Sequence, residues 1–148
     1  MTFWRIYYHI VWSTATRLPL ITENIEVKLY KYIKNKCDSL DCQLHAIGGV
    51  NDHIHLVVSI PPSMSISDFV RRIKGSSSHF INQTKLESES KFAWQREYGV
   101  FSLGGQQLVG KASLKENRAV AYANNQKEHH AQGSIERFLE PEIINTEQ

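Results

Sequence analysis

Two periodicities of apolar residues alternate along this chain, and the order in which they alternate constrains its fold more than any other feature. A period of two residues, typical of a β-strand, marks four stretches. They are residues 3–13, 43–47, 54–60 and 98–103. Helical spacing fills two of the intervals, from Thr22 to about Asp41 and from Ser65 to about Asn82. The elements therefore follow the order β-α-β-β-α-β.

Polar residues at the predicted helix starts support this order. Thr22 and Ser65 can each cap a helix, and Asp68 follows Ser65 at the spacing of a capping box. A third capping pattern precedes a helix that we predict over about 114–130. The order β-α-β-β-α-β predicts an α+β fold of the ferredoxin-like, split βαβ type, an antiparallel sheet with two helices on one face. The third helix is then a C-terminal addition, which is free to carry function.

Length and composition point to one domain and exclude several classes of protein. With 148 residues and 41% hydrophobic content, we expect a single domain over 1–148 whose polar tail, 134–148, is partly flexible. We recognise neither a membrane helix nor a secretory leader, so we expect a cytoplasmic protein with no membrane partner. Cys37 and Cys42 are expected as free thiols. The net charge of +2 is too small to indicate nucleic-acid binding by itself.

Two histidines flank Ile54 in the third predicted strand. Because side chains alternate between the faces of a strand, His53 and His55 lie on one face and Ile54 on the other. Two imidazoles on one rigid face supply half of a metal site. The spacing alone leaves open that both are solvent-facing side chains of a half-exposed strand. His9 in the first strand is expected to be a core histidine with a hydrogen-bond partner.

The third predicted helix carries a second pair. Tyr122 and Gln126 are one helical turn apart, so they lie on nearly the same face. A hydroxyl that can act as a nucleophile thus lies beside an amide oxygen that can bind a metal. An ordinary amphipathic helix, with Tyr122 packed and Gln126 in water, fits the same spacing.

Five short stretches, taken in order, carry a resemblance to a known family. They are Tyr8-His9-Ile10-Val11-Trp12, residues 51–58, Phe69 to Ser77 with Lys74-Gly75-Ser76-Ser77, Trp94 with residues 98–102, and Tyr122-Ala123-Asn124-Asn125-Gln126 with His129-His130. The set resembles the single-tyrosine transposases of the HUH endonuclease superfamily, which include the REP-associated tyrosine transposases of bacteria. Because the stretches cover nearly the whole chain, the resemblance is more specific than any single motif.

The resemblance implies catalytic roles for four residues in these stretches. His53, His55 and Gln126 would be the metal ligands for Mg²⁺ or Mn²⁺, and Tyr122 the nucleophile. The implied enzyme is a DNA transposase, a metal-dependent endonuclease and strand transferase that cleaves single-stranded DNA near a hairpin. Attack by the tyrosine leaves a 5′-phosphotyrosine. The 3′-hydroxyl of a DNA strand can then reverse the cleavage step without ATP. We expect Mn²⁺ to support activity at least as well as Mg²⁺, since imidazole is not a preferred magnesium ligand.

The resemblance also implies contacts between DNA phosphates and side chains of the second helix, with weaker candidates in the loop after the first strand. The expected contacts are Arg17, Arg71, Arg72, Lys74, Ser76 and Ser77. A solvated basic helix face explains the same residues equally well.

Members of the family are commonly dimers, so the resemblance implies a homodimer that binds a single-stranded DNA hairpin and no small-molecule substrate. The 103–113 connection is longer than expected for the family, and whether Tyr122 serves its own histidine pair or a partner's stays open. Two alternatives also stay open, a hairpin-binding protein that has lost cleavage and an interaction domain without chemistry. A replication initiator or relaxase is excluded because 148 residues leave no room for it.

Overall fold

The structure, a computed structural model, describes residues 2–85 and 89–104; the predicted third helix and the tail lie outside this part. The elements are β1 (Tyr7–Ser13), α1 (Glu23–Ser39), β2 (Gln43–Gly49), β3 (His53–Ser59), α2 (Ile66–Thr84) and β4 (Gly99–Leu103), with a 3-10 turn over Ala15–Arg17. The strands form one antiparallel sheet in the order β2-β3-β1-β4. This is the ferredoxin-like arrangement predicted from the sequence. Neither described helix is long and apolar enough to cross a membrane.

One face of the sheet packs against both helices and forms the main core. Ile10 from β1 and Ile54 from β3 are fully buried there, together with apolar side chains of α1 and α2. Because side chains alternate along a strand, His9, His53 and His55 lie on the opposite face. β3 is paired on both sides, and each of its 7 residues is buried.

The helix starts predicted at Thr22 and Ser65 are confirmed. The hydroxyl of Thr22 accepts a hydrogen bond from the Ile25 N–H at 3.4 Å, and that of Ser65 accepts one from the Asp68 N–H at 3.1 Å. Each cap satisfies a backbone donor of the first helical turn, which has no partner within the helix.

The end of α1 is a tight turn that buries both cysteines. Asp41 takes a left-handed backbone conformation, with φ of 58°. The Cys42 N–H then donates to the Cys37 carbonyl at 2.9 Å and closes the helix end. Both thiols are buried and free, as predicted.

The first strand is shorter than predicted and begins at Tyr7. Its neighbour β4 ends at Leu103, which lies opposite Tyr7, so the chain before that point has no partner in β4. Phe3, predicted as a strand residue, is 83% exposed.

The second strand is longer than the predicted 43–47. Gly48 and Gly49 continue β2 and pair with His55 and Ile54. A Cβ at Gly49 would lie 2.9 Å from the Ile54 Cα and would also collide with the His53 carbonyl oxygen. Glycine therefore lets the two strands approach closely where β3 begins.

Candidate functional site

His53 and His55 lie on one face of β3, as side-chain alternation predicted. Their ring centroids are 5.2 Å apart and their planes meet at 66°. Both side chains are buried, so the alternative of two solvent-facing histidines on a half-exposed strand is wrong. Buried imidazoles need hydrogen-bond partners, and these partners define the site.

Asp52 holds the ring of His53. Its Oδ1 lies 2.7 Å from Nδ1 of His53, and its Oδ2 lies 3.4 Å from Nε of Arg17. Burial acts to raise the pKa of Asp52, but the hydrogen bonds and charges of His53 and Arg17 outweigh it and hold that pKa below its ordinary value. The carboxylate is therefore ionised at neutral pH and accepts the Nδ1–H of His53. His53 would then bind a metal through Nε2.

His9 holds the ring of His55. The Nε2 atom of His9 lies 2.8 Å from Nδ1 of His55, and the two ring planes are within 10° of parallel. His9 on β1 lies opposite Val57 and His55 lies opposite Val11, so the two histidines are diagonal neighbours across the strand pair. Because Nδ1 of His55 is in this hydrogen bond, His55 would also bind a metal through Nε2. His9 is buried and has a hydrogen-bond partner, as predicted, but it lies on the face of the sheet opposite the main core.

The turn that carries Asp52 is fixed by the loop after β1. The Thr14 N–H donates to the Asp52 carbonyl at 2.8 Å, while the Thr14 hydroxyl donates to the Leu18 carbonyl at 2.6 Å. The Ile21 N–H donates to the Asn51 carbonyl at 2.9 Å. These bonds hold the Asp52 backbone next to His53. Sequence reasoning assigned no role to Asp52, because no periodicity marks a turn residue.

The donor set of the histidine pair fits part of a divalent metal site. Imidazole nitrogens with a fixed proton position are common ligands of divalent transition-metal ions. Over residues 2–85 and 89–104, no group of three or more His, Cys, Asp or Glu side chains can hold a metal. The predicted third ligand, Gln126, and the predicted nucleophile, Tyr122, lie outside the described residues. The pair offers two nitrogen donors, and a metal site built on them would need a further donor.

The predicted DNA contacts on α2 fall into two environments. Arg71 and Arg72 are the exposed ones, with 72% and 48% of their side chains accessible. Both pair with Asp68. The hydrogen bond from Arg71, and then that from Arg72, holds the pKa of the Asp68 carboxyl below its ordinary value. The hydroxyl of Ser76 donates to the Arg72 carbonyl at 2.6 Å. This exposed part of α2 remains suitable for phosphate binding.

Lys74 is directed inward, at the loop before β4. Its Nζ donates to the carbonyls of Gln95, Arg96 and Glu97 at 2.9, 3.1 and 2.8 Å. The same atom lies 5.7 Å from the ring centroid of Trp12. Since its three N–H donors point at these carbonyls, Lys74 acts in this structure as a support for the loop.

Ser77 is fully buried on the apolar face of α2. Its hydroxyl accepts a hydrogen bond from Nε1 of Trp94 at 3.0 Å and donates to the Lys74 carbonyl at 3.2 Å. A hydroxyl in this position cannot reach a phosphate outside the domain, so we do not retain Ser77 as a DNA contact.

A cavity of about 560 Å³ lies between α2 and residues 91–98, and we call it the basic cavity. Among the described residues that line it, four are basic and none is acidic. The basic ones are Arg71, Lys74, Lys91 and Arg96. Such a lining attracts phosphates. Sequence reasoning missed Lys91 and Arg96 because they are isolated in a polar segment and only the fold brings them to α2.

Comparison with known proteins bears out the family resemblance. A family model described as "Transposase IS200 like" matches residues 2–112. The transposase for insertion sequence element IS200 of Salmonella typhimurium is 27% identical over 107 residues, which are 70% of this chain and 70% of that protein. The ISDra2 transposase TnpA of Deinococcus radiodurans is 24% identical over 88 residues, 58% of this chain and 63% of that protein.

Two solved structures share the fold. A putative transposase from Deinococcus radiodurans superposes with a TM-score of 0.63 at 21% identity, over 71% of this chain and 84% of that one. A REP-associated tyrosine transposase bound to a REP hairpin superposes with a TM-score of 0.59 at 13% identity, over 91% of this chain and 76% of that one. The family match spans every described strand and both buried histidines of β3. The chain therefore belongs to the IS200-like transposase family, a family of DNA-processing enzymes.

Proposed function

We propose that this transposase cleaves single-stranded DNA near a hairpin and transfers the cleaved end to another strand. Tyr122 is the nucleophile, and His53, His55 and Gln126 hold a divalent metal. The observation that carries the proposal is the buried pair His53 and His55, whose Nδ1 atoms are both in hydrogen bonds of 2.7 and 2.8 Å. Histidines with a fixed ring and a fixed proton are typical of metal ligands.

The proposed reaction, cleavage followed by strand transfer, has two steps. The Tyr122 hydroxyl attacks phosphorus, the bond from phosphorus to the 3′-oxygen breaks, and the proton goes to the 3′-oxygen, which leaves as a hydroxyl. In the second step the 3′-hydroxyl of another strand attacks the phosphotyrosine and restores the Tyr122 hydroxyl, so no ATP is needed. When bound, Mg²⁺ or Mn²⁺ would supply positive charge that polarises the phosphate.

The residues of this chain must also place the DNA. The exposed guanidinium groups of Arg71 and Arg72 and the basic cavity beside them offer positive charge to the hairpin phosphates. Ser76 lies on the same part of α2. Arg17, which pairs with Asp52, lies beside the histidine pair and would meet the strand close to the cleaved bond.

The test uses hairpin oligonucleotides from the DNA that flanks the coding region, incubated with the protein and Mn²⁺ or Mg²⁺. We expect a protein–DNA adduct that survives denaturing electrophoresis and that is lost in Tyr122→Phe and in His55→Ala. Tyr32→Phe, a change on α1, is the matched control and should retain the adduct. An adduct in Tyr122→Phe would overturn the assignment of the nucleophile.

Two further outcomes concern the alternative function and the assembly. Binding of the hairpin without an adduct in either metal would favour a hairpin-binding protein that no longer cleaves. We also propose that the active form is a homodimer. The molar mass of the protein in solution, from light scattering, tests this. Mixing Tyr122→Phe with His55→Ala protein then tests whether one subunit's tyrosine serves the other's histidines, because only that arrangement gives an adduct.

A further inference from the structure

We infer that His9 and Asp52 are positioning residues that orient the two metal-binding histidines and fix where each carries its proton. The inference rests on the proposed metal site, and it assigns a functional role to two residues for which the sequence predicted none. Neither residue is a ligand in this scheme. Each acts on the metal through the ring that it holds.

The case for Asp52 comes from its double anchorage. One carboxylate oxygen lies 2.7 Å from Nδ1 of His53, and the other lies 3.4 Å from Nε of Arg17. The Asp52 carbonyl is held by Thr14 from the neighbouring loop. Backbone and side chain are therefore both fixed, so the carboxylate constrains the rotation of the His53 ring. A carboxylate bonded to Nδ1–H also raises the basicity of Nε2, the atom that would bind the metal.

The case for His9 comes from the register of the sheet. A neutral His55 that binds metal through Nε2 must carry its proton on Nδ1, and the atom 2.8 Å away is Nε2 of His9. His9 therefore accepts this bond through Nε2 and carries its own proton on Nδ1. Because both rings are buried and nearly parallel, His55 cannot turn without breaking the bond.

The two residues differ in what they supply. Asp52 brings a negative charge and a charge-assisted hydrogen bond, whereas His9 brings a neutral acceptor. Loss of Asp52 should therefore weaken metal binding more than loss of His9. Outer hydrogen-bond partners of this kind typically change metal affinity by about 10- to 100-fold.

The experiment measures Mn²⁺ affinity by the electron paramagnetic resonance signal of free Mn²⁺, in the full-length protein without DNA. We expect Asp52→Ala and His9→Phe to weaken binding by about 10- to 100-fold, since both remove the acceptor at Nδ1. Asp52→Asn and His9→Gln keep an acceptor oxygen and should recover part of the affinity. His45→Phe, which changes a histidine that bonds Ser59 at the far end of β3 from His53, should leave the affinity unchanged.

The outcomes separate this inference from the proposed function. Equal Mn²⁺ binding by the unaltered protein and His55→Ala would overturn the proposed metal site itself. If His55→Ala lost Mn²⁺ while folded Asp52→Ala and His9→Phe bound it as the unaltered protein does, the positioning roles alone would be wrong. A nitrogen NMR spectrum of the unaltered, metal-free protein needs no variant. It should show His53 and His55 protonated on Nδ1, and protonation on Nε2 would contradict the inference.

Discussion

The Nε2 atom of His9 on β1 lies 2.8 Å from the Nδ1 atom of His55 on β3, although the residues are 46 positions apart in the sequence. The bond exists because β1 and β3 are adjacent antiparallel strands in which His55 lies opposite Val11. A slip of one residue between these strands would move His9 to the opposite face of the sheet. The orientation of His55 therefore depends on the register of the central strand pair.

Replacement by alanine should have opposite effects on stability at Gly49 and at Gly75. A Cβ at Gly49 would press on the backbone of His53 and Ile54, whereas a Cβ at Gly75 meets nothing within 4 Å. We expect Gly49→Ala to destabilise the protein by about 1 to 3 kcal/mol and to weaken Mn²⁺ binding. Gly75→Ala should stabilise α2 by about 0.5 to 1 kcal/mol. Urea unfolding measures both, and equal effects of the two changes would contradict the close approach at Gly49.

Variants of Lys74 and Arg72 should distinguish a residue that stabilises the fold from a residue that binds DNA. Lys74→Met removes the charged donor from three backbone carbonyls and should cost about 1 to 3 kcal/mol of unfolding free energy. Arg72→Met removes an exposed side chain and should change stability by less than about 0.5 kcal/mol while it lowers hairpin affinity. Urea unfolding and filter binding measure the two effects. Lys74→Met protein of unchanged stability would show that Lys74 does not support the loop.

Hairpin binding should depend on salt through the basic cavity. Each phosphate contact contributes about 0.7 to 0.9 to the slope of the logarithm of affinity against the logarithm of salt concentration. Arg71→Ala and Arg96→Ala should each reduce this slope by the contribution of about one phosphate contact. Lys31→Ala, on the exposed side of α1, should leave the slope unchanged. A slope that is the same in all three variants would place the hairpin elsewhere.

The buried cysteines should make the protein sensitive to alkali. Burial, and then the proximity of Cys42, raises the pKa of Cys37 to about 12, and burial raises that of Cys42 to about 11. Because folding raises both thiol pKa values, the protonated thiols contribute their full stabilisation of the folded state below pH 9, the ordinary pKa. That stabilisation is lost as the pH rises through the pKa values of the folded protein. Each thiol should cost about 1.4 kcal/mol per pH unit between these limits.

The alkaline effect is measured by urea unfolding from pH 8 to 10.5. The double variant Cys37→Ala with Cys42→Ala is the reference, and the unaltered protein should lose stability relative to it as the pH rises. The folded thiols should also resist a thiol reagent at pH 8 and react once urea unfolds the protein. Fast labelling of the folded protein would contradict their burial.

Local patterns in the sequence predict most of the fold. The hydroxyls of Thr22 and Ser65 act within one helical turn, so their caps are visible in a few consecutive residues. The start of β1 is different, since it depends on where β4 ends, at a residue far along the chain. Pairing partners of this kind leave no mark in the strand's own sequence.

The same distinction applies to the candidate site. Side-chain alternation places His53 and His55 on one face, because that rule needs only neighbouring residues. The partners Asp52 and His9 depend on the conformation of a turn and on the register of two strands, which no spacing shows. Lys74 is basic in the sequence, yet only the packing of the loop before β4 against α2 reveals that it points inward.

The position of β3 in the middle of the sheet has a consequence for how the site is lost. A strand that is buried along its length and paired on both sides should be among the last parts of the domain to exchange its amide hydrogens with water. His53 and His55 therefore lose their arrangement in the same cooperative event that unfolds the protein. A metal ion that binds this arrangement alone would shift that equilibrium toward the folded state, so ligand and fold protect each other.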